Sequence, residues 1–341
     1  MKIYLYNFNI LLYTKTNKSF VDWSDSMKKN KLVTAAMLST ITAGTIYAIN
    51  KTISLVANTQ AALSNPHGLR YEWRFGNIFY TKQGDGKPIL LVHDLTCGSS
   101  DLEWKSIVSS YAKKHTVYTI DLLGCGRSDK PAFTYTNYMY VQLISDFIKN
   151  IIGHRTDVVA TGSSAAIVLM ACYNDDTLFD KIMLINPVHF EAGSSDKVNT
   201  KLSKFLLEMP LIGTLIFNMS NTRQTYRTLF KERYFYNPYA VRTSYVKNYY
   251  DASHFGAMTS KYLFASIAAG YTGINTSRAI KDINNSIYIL AGEYEENMKE
   301  IVADYHELNP SIEYSTINKT KHLPQLENPN DVLNAMSIFF N

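Results

Sequence analysis

Five short runs rich in Val, Ile and Leu punctuate the middle of the chain: Pro88 to Leu95, Thr116 to Leu122, Asp157 to Gly162, Lys181 to Asn186 and Ser286 to Gly292. Runs of this length without a polar face are what parallel strands buried on both sides require. Between them lie helical stretches, Asp101 to Lys114, Tyr138 to Ile152 and Ala165 to Asn174, so strand and helix alternate as in a doubly wound parallel sheet. Ahead of the first run, apolar and aromatic residues alternate from Tyr71 to Asp85 around Gly76, with Gly84-Asp85-Gly86 as a turn, which suits an antiparallel pair. From Pro187 to about residue 284 the alternation stops, and helical, tyrosine-rich sequence intervenes. The pattern predicts an α/β core over 70–186 and 285–341, with a helical cap inserted over 187–284. A helix over Asn297 to Leu308, a strand over Ser311 to Ile317 and a helix over Asn330 to Phe340 complete the core.

Residues 1–60 follow another pattern. Lys28, Lys29 and Lys31 precede an uncharged stretch from Leu32 to Ile49, near the length needed to cross a bilayer, and lysines on that side favour a cytoplasmic N-terminus. The expectation is a single-pass membrane anchor over 32–49. A signal peptide, with Ala57, Ala61 and Ala62 following, and an amphipathic helix stay open as alternatives, and with them a secreted or cytoplasmic protein. Met27 makes a conventional start for such a segment, so residues 1–26 can be an extension ahead of the natural start.

Composition narrows the function classes. A hydrophobic content of 46% over 341 residues supports a sizeable core and excludes a disordered chain. The net charge of +5 is scattered among acids, which does not suggest a nucleic-acid partner. Cys97, Cys125 and Cys172 have neither the even number of a disulfide framework nor zinc-ligand spacing, and are expected to be small buried residues.

Chemistry concentrates at Val158-Val159-Ala160-Thr161-Gly162-Ser163-Ser164-Ala165-Ala166, where an apolar strand runs into a helix. A serine on that tight turn exposes its hydroxyl at the sheet edge beside a helix N-terminus. Such a turn needs small residues two positions to either side. Gly162 and Ala166 meet the need around Ser164, whereas Ser163 would place Thr161 at the crowded position, so Ser164 is the candidate nucleophile. A serine hydroxyl needs a base, and His322 follows the last predicted strand. The carboxylate that orients it should follow the strand Ser286 to Gly292, where Glu293, Glu295 and Glu296 compete and a spacing of three from Gly292 favours Glu295. Expected oxyanion donors are the N–H groups of Leu95 and Ala165. His93 and Asp94, and Tyr234 and Tyr236 in the cap, are candidate substrate contacts.

Leu91-Val92-His93-Asp94-Leu95, Trp104, the run Asp121-Leu122-Leu123-Gly124-Cys125-Gly126-Arg127-Ser128-Asp129-Lys130-Pro131, the strand–serine–helix junction and the His322 segment together resemble the α/β-hydrolase superfamily over residues 70–341. The resemblance is to its cap-bearing branch of esterases, carbon–carbon bond hydrolases, haloperoxidases and epoxide hydrolases. Two positions depart from that pattern: Asp94 and Ala166 stand where glycine is usual. The resemblance implies an aspartate at the turn for epoxide and dehalogenase chemistry, so Ser164 points instead to acyl transfer on an apolar ester or related carbonyl compound. The mechanism calls for no cofactor or metal. Two other functions compete: a binding protein of the same fold whose site has drifted, and a partner-docking role for the tyrosine-rich stretch Arg223 to Tyr250.

Overall fold

The structure is a computed structural model. It describes residues 68–191, 200–256 and 259–341, with residues 40, 42–53, 55 and 63 ahead of them. Two units divide the chain, Met1–Ala48 and Ile49–Asn341. Residues 42–53 are helical, α1. Among the described residues no single helix is long and apolar enough to cross a membrane. Residues 32–39 and 41 of the expected anchor lie outside the described residues, and residues 42–49 within it are helical.

The second unit is built on an eight-stranded sheet in the order β1-β2-β4-β3-β5-β6-β7-β8. β1 (Gly68–Trp73) and β2 (Gly76–Gln83) form the antiparallel pair that the alternation predicts, joined through Arg74 and Phe75 just ahead of Gly76. β2 also pairs antiparallel with β4, and every later pairing is parallel. The apolar runs become β3 (Lys87–Val92), β4 (His115–Ile120), β5 (Thr156–Thr161), β6 (Phe179–Ile185) and β7 (Ile287–Gly292), and the sheet ends at β8 (Glu313–Ile317). Every residue of β4 and β5 is buried, because helices cover both faces.

On one face α3 (Asn137–Phe147) and α4 (Ser164–Asn174) pack with Ile144, Phe147, Val168 and Leu169 in the larger core, while α2 (Lys105–Tyr111) brings Ile107 and Val108 to the other. Between β6 and β7 the chain runs through α5 (Thr200–Glu208), α6 (Ile212–Ser220), α7 (Arg223–Leu229), α8 (Thr243–His254), α9 (Lys261–Ala268) and α10 (Ser277–Asp282). α11 (Met298–Leu308) links β7 to β8, and α12 (Pro324–Glu327) and α13 (Pro329–Phe340) close the chain. Part of the insertion has its own core, in which Phe230, Phe235 and Tyr249 meet Leu323 and Leu326 from the turn before and within α12.

Register decides where chemistry can occur. Val92 of β3 lies opposite Ile120 of β4 and Ala160 of β5, so these three strands end level. Thr161 pairs with Ile185, and Gly292 with Ile317. The loops that follow β3, β4, β5, β7 and β8 therefore leave from one carboxyl edge, the place where open parallel sheets bind ligands.

Candidate active site

The most distinctive sequence run, Asp121 to Pro131, frames the site rather than entering it. Asp121 Oδ2 accepts from both the backbone N–H and Nε of Arg127, each at 2.8 Å, and Asp121 Oδ1 accepts from the Asp101 N–H at 2.7 Å. Arg127 also pairs with Asp101 and lies 3.8 Å from the centroid of the Phe79 ring. A side chain at Gly126 would collide with the Asp121 carboxylate, which is why glycine stands there at φ +47°. His93 joins this frame. Its Nε2 accepts the Leu122 N–H at 3.0 Å, which leaves Nδ1 as the donor to its 2.6 Å partner, the Asp94 carbonyl. The ring is fully buried, and burial lowers its pKa despite the nearby carboxylates. The expected substrate contact from His93 is therefore corrected: a ring with both nitrogens engaged by backbone fixes the loop after β3 and presents nothing to a ligand.

The turn after β5 differs from the expected register. Its left-handed residue is Gly162, at φ +54°, while Ser163 has φ −67° and Ser164 already opens α4. The apex of the turn is thus two positions before Ser164. Ser164 is fully buried, and its hydroxyl donates to the His93 carbonyl at 2.6 Å. The expected donor Ala165 directs its N–H at the Gly162 carbonyl, 3.2 Å away. The N–H that follows the apex belongs to Ser163, and it donates to Asp94 Oδ1 at 2.8 Å. The Leu95 N–H donates to the same oxygen at 2.8 Å. The N–H groups of Leu95 and Ser163 thus converge on one carboxylate oxygen, and that of Ala165 does not.

His322 lies on the loop after β8, between two carboxylates. Nδ1 is 2.9 Å from Glu295 Oε1, and Nε2 is 3.4 Å from Asp94 Oδ2. The three competing glutamates are separated by their contacts. Glu293 accepts the Lys319 N–H at 2.8 Å, and Glu296 pairs at 2.9 Å with exposed Arg233, so only Glu295 reaches the imidazole. The His322 side chain is 18% exposed. Burial disfavours its charged form, but the hydrogen bonds and charges of Asp94 and Glu295 outweigh that, and its pKa is raised to about 10. The raised value favours the imidazolium form, which lies between the side chains of Asp94 and Glu295. For Asp94 burial acts upward, yet His322 and the N–H groups of Ser163 and Leu95 hold its carboxyl below the usual carboxylate range.

The insertion covers this group with aromatic rings. Tyr234 stacks on His322, the centroids 4.8 Å apart and the planes 22° from parallel. Tyr236, the other expected contact, packs instead against Tyr294 at 4.3 Å, and its N–H donates to Glu327, so it is drawn away from His322. Glu103 belongs to no motif that could have singled it out. It is buried, accepts from the Tyr249 hydroxyl at 2.7 Å, and has its pKa pushed up to about 7 by burial and by the Asp94 charge. A cleft of about 490 Å³, lined by Leu229, Arg233, Tyr234, Glu295, Lys321 and His322, leads from the surface to the imidazole. Among the described residues no His, Cys, Asp and Glu group could hold a metal ion.

The sequence profile described as the alpha/beta hydrolase family matches residues 89–336. The chain belongs to this family. An uncharacterised protein of Mycobacterium tuberculosis is 28% identical over 120 residues, which is 35% of this chain. The chain spans about a third, 33%, of that relative's length. Among solved structures, an epoxide hydrolase, CorEH, superposes with TM-score 0.67 at 18% identity, covering 80% of this chain and 98% of its own. A serine hydrolase involved in carbazole degradation, CarC, gives 0.66 at 18%, with the same 80% and 98% coverage. At these identities the likeness speaks for the fold.

Proposed function

We propose that the chain is a small-molecule hydrolase in which His322, oriented by Glu295, moves the proton at the reacting bond. The observation that carries this reading is the Glu295···His322···Asp94 line at the carboxyl edge, with contacts of 2.9 and 3.4 Å, beneath Tyr234 and at the end of a surface cleft. A histidine whose Nδ1 is fixed by a carboxylate presents Nε2 in one orientation, which is what general acid–base catalysis needs. Two substrate classes are considered: apolar esters, which the sequence leads one to expect, and compounds with a strained carbon–oxygen bond, the class for which the epoxide hydrolase of like fold is named.

The ester version uses Ser164 in an acyl-enzyme. It draws support from the position of Ser164 beside the β5 turn, and is weakened by its burial and its bond to the His93 carbonyl. A binding role without catalysis is favoured by one observation, the glycine at the apex of the turn. Attachment to a bilayer through residues 32–49 rests on the sequence alone. Carbonate extraction that releases the full-length protein into the soluble fraction would contradict it.

The test is turnover of p-nitrophenyl butyrate, p-nitrophenyl octanoate and styrene oxide by the purified chain, beside His322→Ala. Turnover that falls on the order of 10²-fold or more in the variant supports the reading. Folded protein that hydrolyses none of them, or a variant as active as the parent, refutes it.

A further inference from the structure

We infer that Asp94 is the covalent nucleophile of this hydrolase, delivered from the loop after β3 into the space that a side chain at the apex of the β5 turn would otherwise fill. The inference rests on the hydrolase reading above and supplies the attacking atom that it leaves open.

Four observations converge on the carboxylate. The apex residue is Gly162, which brings no side chain of its own. A Cβ placed on Gly162 would stand 2.5 Å from Asp94 Cγ, so the Asp94 carboxyl group occupies the volume where an apex side chain would begin. Asp94 Oδ1 accepts the N–H groups of Leu95 and Ser163, both at 2.8 Å, so one oxygen is fixed where negative charge is best held. Asp94 Oδ2, the other oxygen, faces His322 Nε2 at 3.4 Å. The hydroxyl of Ser164 has none of these features, since it is fully buried and bonded to the His93 carbonyl.

A carboxylate nucleophile selects its substrate. Attack on an ester carbonyl would form an anhydride, higher in energy than the ester consumed. Attack on a saturated carbon bearing a strained ring oxygen forms an ester that water can cleave, so the substrate class is an epoxide-like compound. In the first step Asp94 Oδ2 bonds to the ring carbon, the carbon–oxygen bond breaks with its electron pair going to oxygen, and Nε2–H of His322 protonates that oxygen. Esterification removes the Asp94 charge, and His322 is left neutral.

In the second step His322 takes a proton from water, and the water oxygen bonds to Asp94 Cγ. The tetrahedral oxyanion is Oδ1, held by the Leu95 and Ser163 N–H groups. Collapse breaks the Cγ–Oδ2 bond, and the departing alkoxide takes the proton of the new carboxyl. The balance is one water added across one carbon–oxygen bond, with the Asp94 carboxylate and the His322 imidazolium restored. A His322 that rests protonated fits this cycle. Asp94 is 5% exposed, so a substrate reaches it only as the aromatic cover contributed by Tyr234 and its neighbours moves aside.

The cycle leaves the water oxygen in Asp94, which gives the test. The full chain is turned over with styrene oxide in H₂¹⁸O, digested, and the peptide containing Asp94 sequenced by mass spectrometry. The expected result is a gain of one ¹⁸O at Asp94, absent without styrene oxide and absent in His322→Ala. A second comparison uses Asp94→Gly, Gly162→Asp and the two combined, each checked for a cooperative melt. Asp94→Gly lowers styrene oxide turnover on the order of 10³-fold or more. The combined variant, which returns the carboxylate to the apex, regains activity above either single one. Turnover with no label at Asp94, an adduct on Ser163 or Ser164, or undiminished activity of Asp94→Gly overturns the inference. If esters are hydrolysed with dependence on His322 while Asp94→Gly keeps that rate, the hydrolase reading stands and Asp94 as nucleophile falls. If neither esters nor styrene oxide is turned over, both fall.

Discussion

Replacing Asp94 by Asn tests the electrostatic core of the site without needing a substrate. The amide keeps the shape of the carboxylate, and its oxygen can still accept the Leu95 and Ser163 N–H groups that now reach Oδ1 at 2.8 Å. What disappears is a unit charge 3.4 Å from His322 Nε2. At an effective dielectric of about 20 that charge is worth about 4–5 kcal/mol, or roughly three pH units of histidine titration. His322, held up at about 10 in the parent, should therefore titrate near 7 in Asp94→Asn, with Glu295 still beside it and burial still opposing its charge. The assay is an NMR titration of the His322 Cε1–H resonance from pH 5 to 11.

Stability should follow with a defined sign. A histidine raised in the folded state contributes stability that is complete below the unfolded value near 6.5 and is lost as pH rises through about 10. Between pH 7 and 9.5 the parent should lose about 3 kcal/mol more than Asp94→Asn in urea unfolding. Taking the difference cancels groups common to both, such as buried Lys130, lowered to about 8 by desolvation. A His322 midpoint unmoved by the substitution would refute the reasoning, since no charge could then lie where Asp94 is placed.

Three further outcomes follow from the same geometry. Glu295→Gln should reduce turnover by about 10²-fold or more, while Glu296→Gln, which loses only an exposed contact to Arg233, leaves the rate unchanged; steady-state kinetics on the two variants decide it. Gly162→Ala places an L side chain at φ +54° and 2.5 Å from Asp94 Cγ, and should cost about 1–3 kcal/mol in urea unfolding. Cys97, Cys125 and Cys172 are buried, and burial pushes Cys97 and Cys172 up to about 12, so Ellman's reagent should find no fast thiol until the protein is unfolded.

The sheet was legible because β3 to β7 are largely buried on both faces and carry that burial as short runs rich in Val, Ile and Leu. The order of the strands was not, since β4 and β3 exchange places through pairing that no local pattern encodes. His322 could be found from its place after the last strand, and Glu295 from its spacing behind Gly292. The turn was harder. Small residues at Gly162, Ala165 and Ala166 allow more than one register, and only the backbone shows that the left-handed residue is Gly162. Asp94 was visible as an acid in the place of a glycine. Its position could not be read, because it depends on the loops after β3 and β5 meeting across 69 residues of sequence, in the bond from the Ser163 N–H to Asp94 Oδ1.

The glycine at the apex changes what selection can act on. Where a reactive residue sits at the apex of such a turn, one side chain must both tolerate a left-handed backbone, at about 1–2 kcal/mol, and perform the chemistry. Here Gly162 takes the left-handed geometry, and Asp94 is not among the residues with positive φ. Conformational tension and reactivity have been assigned to different loops. Substitutions after β3 then alter the reactive group and its bond from the Ser163 N–H while Gly162 keeps the left-handed backbone, whereas any side chain added at the apex meets the Asp94 carboxyl group, so the two loops must change together in the descendants of this chain.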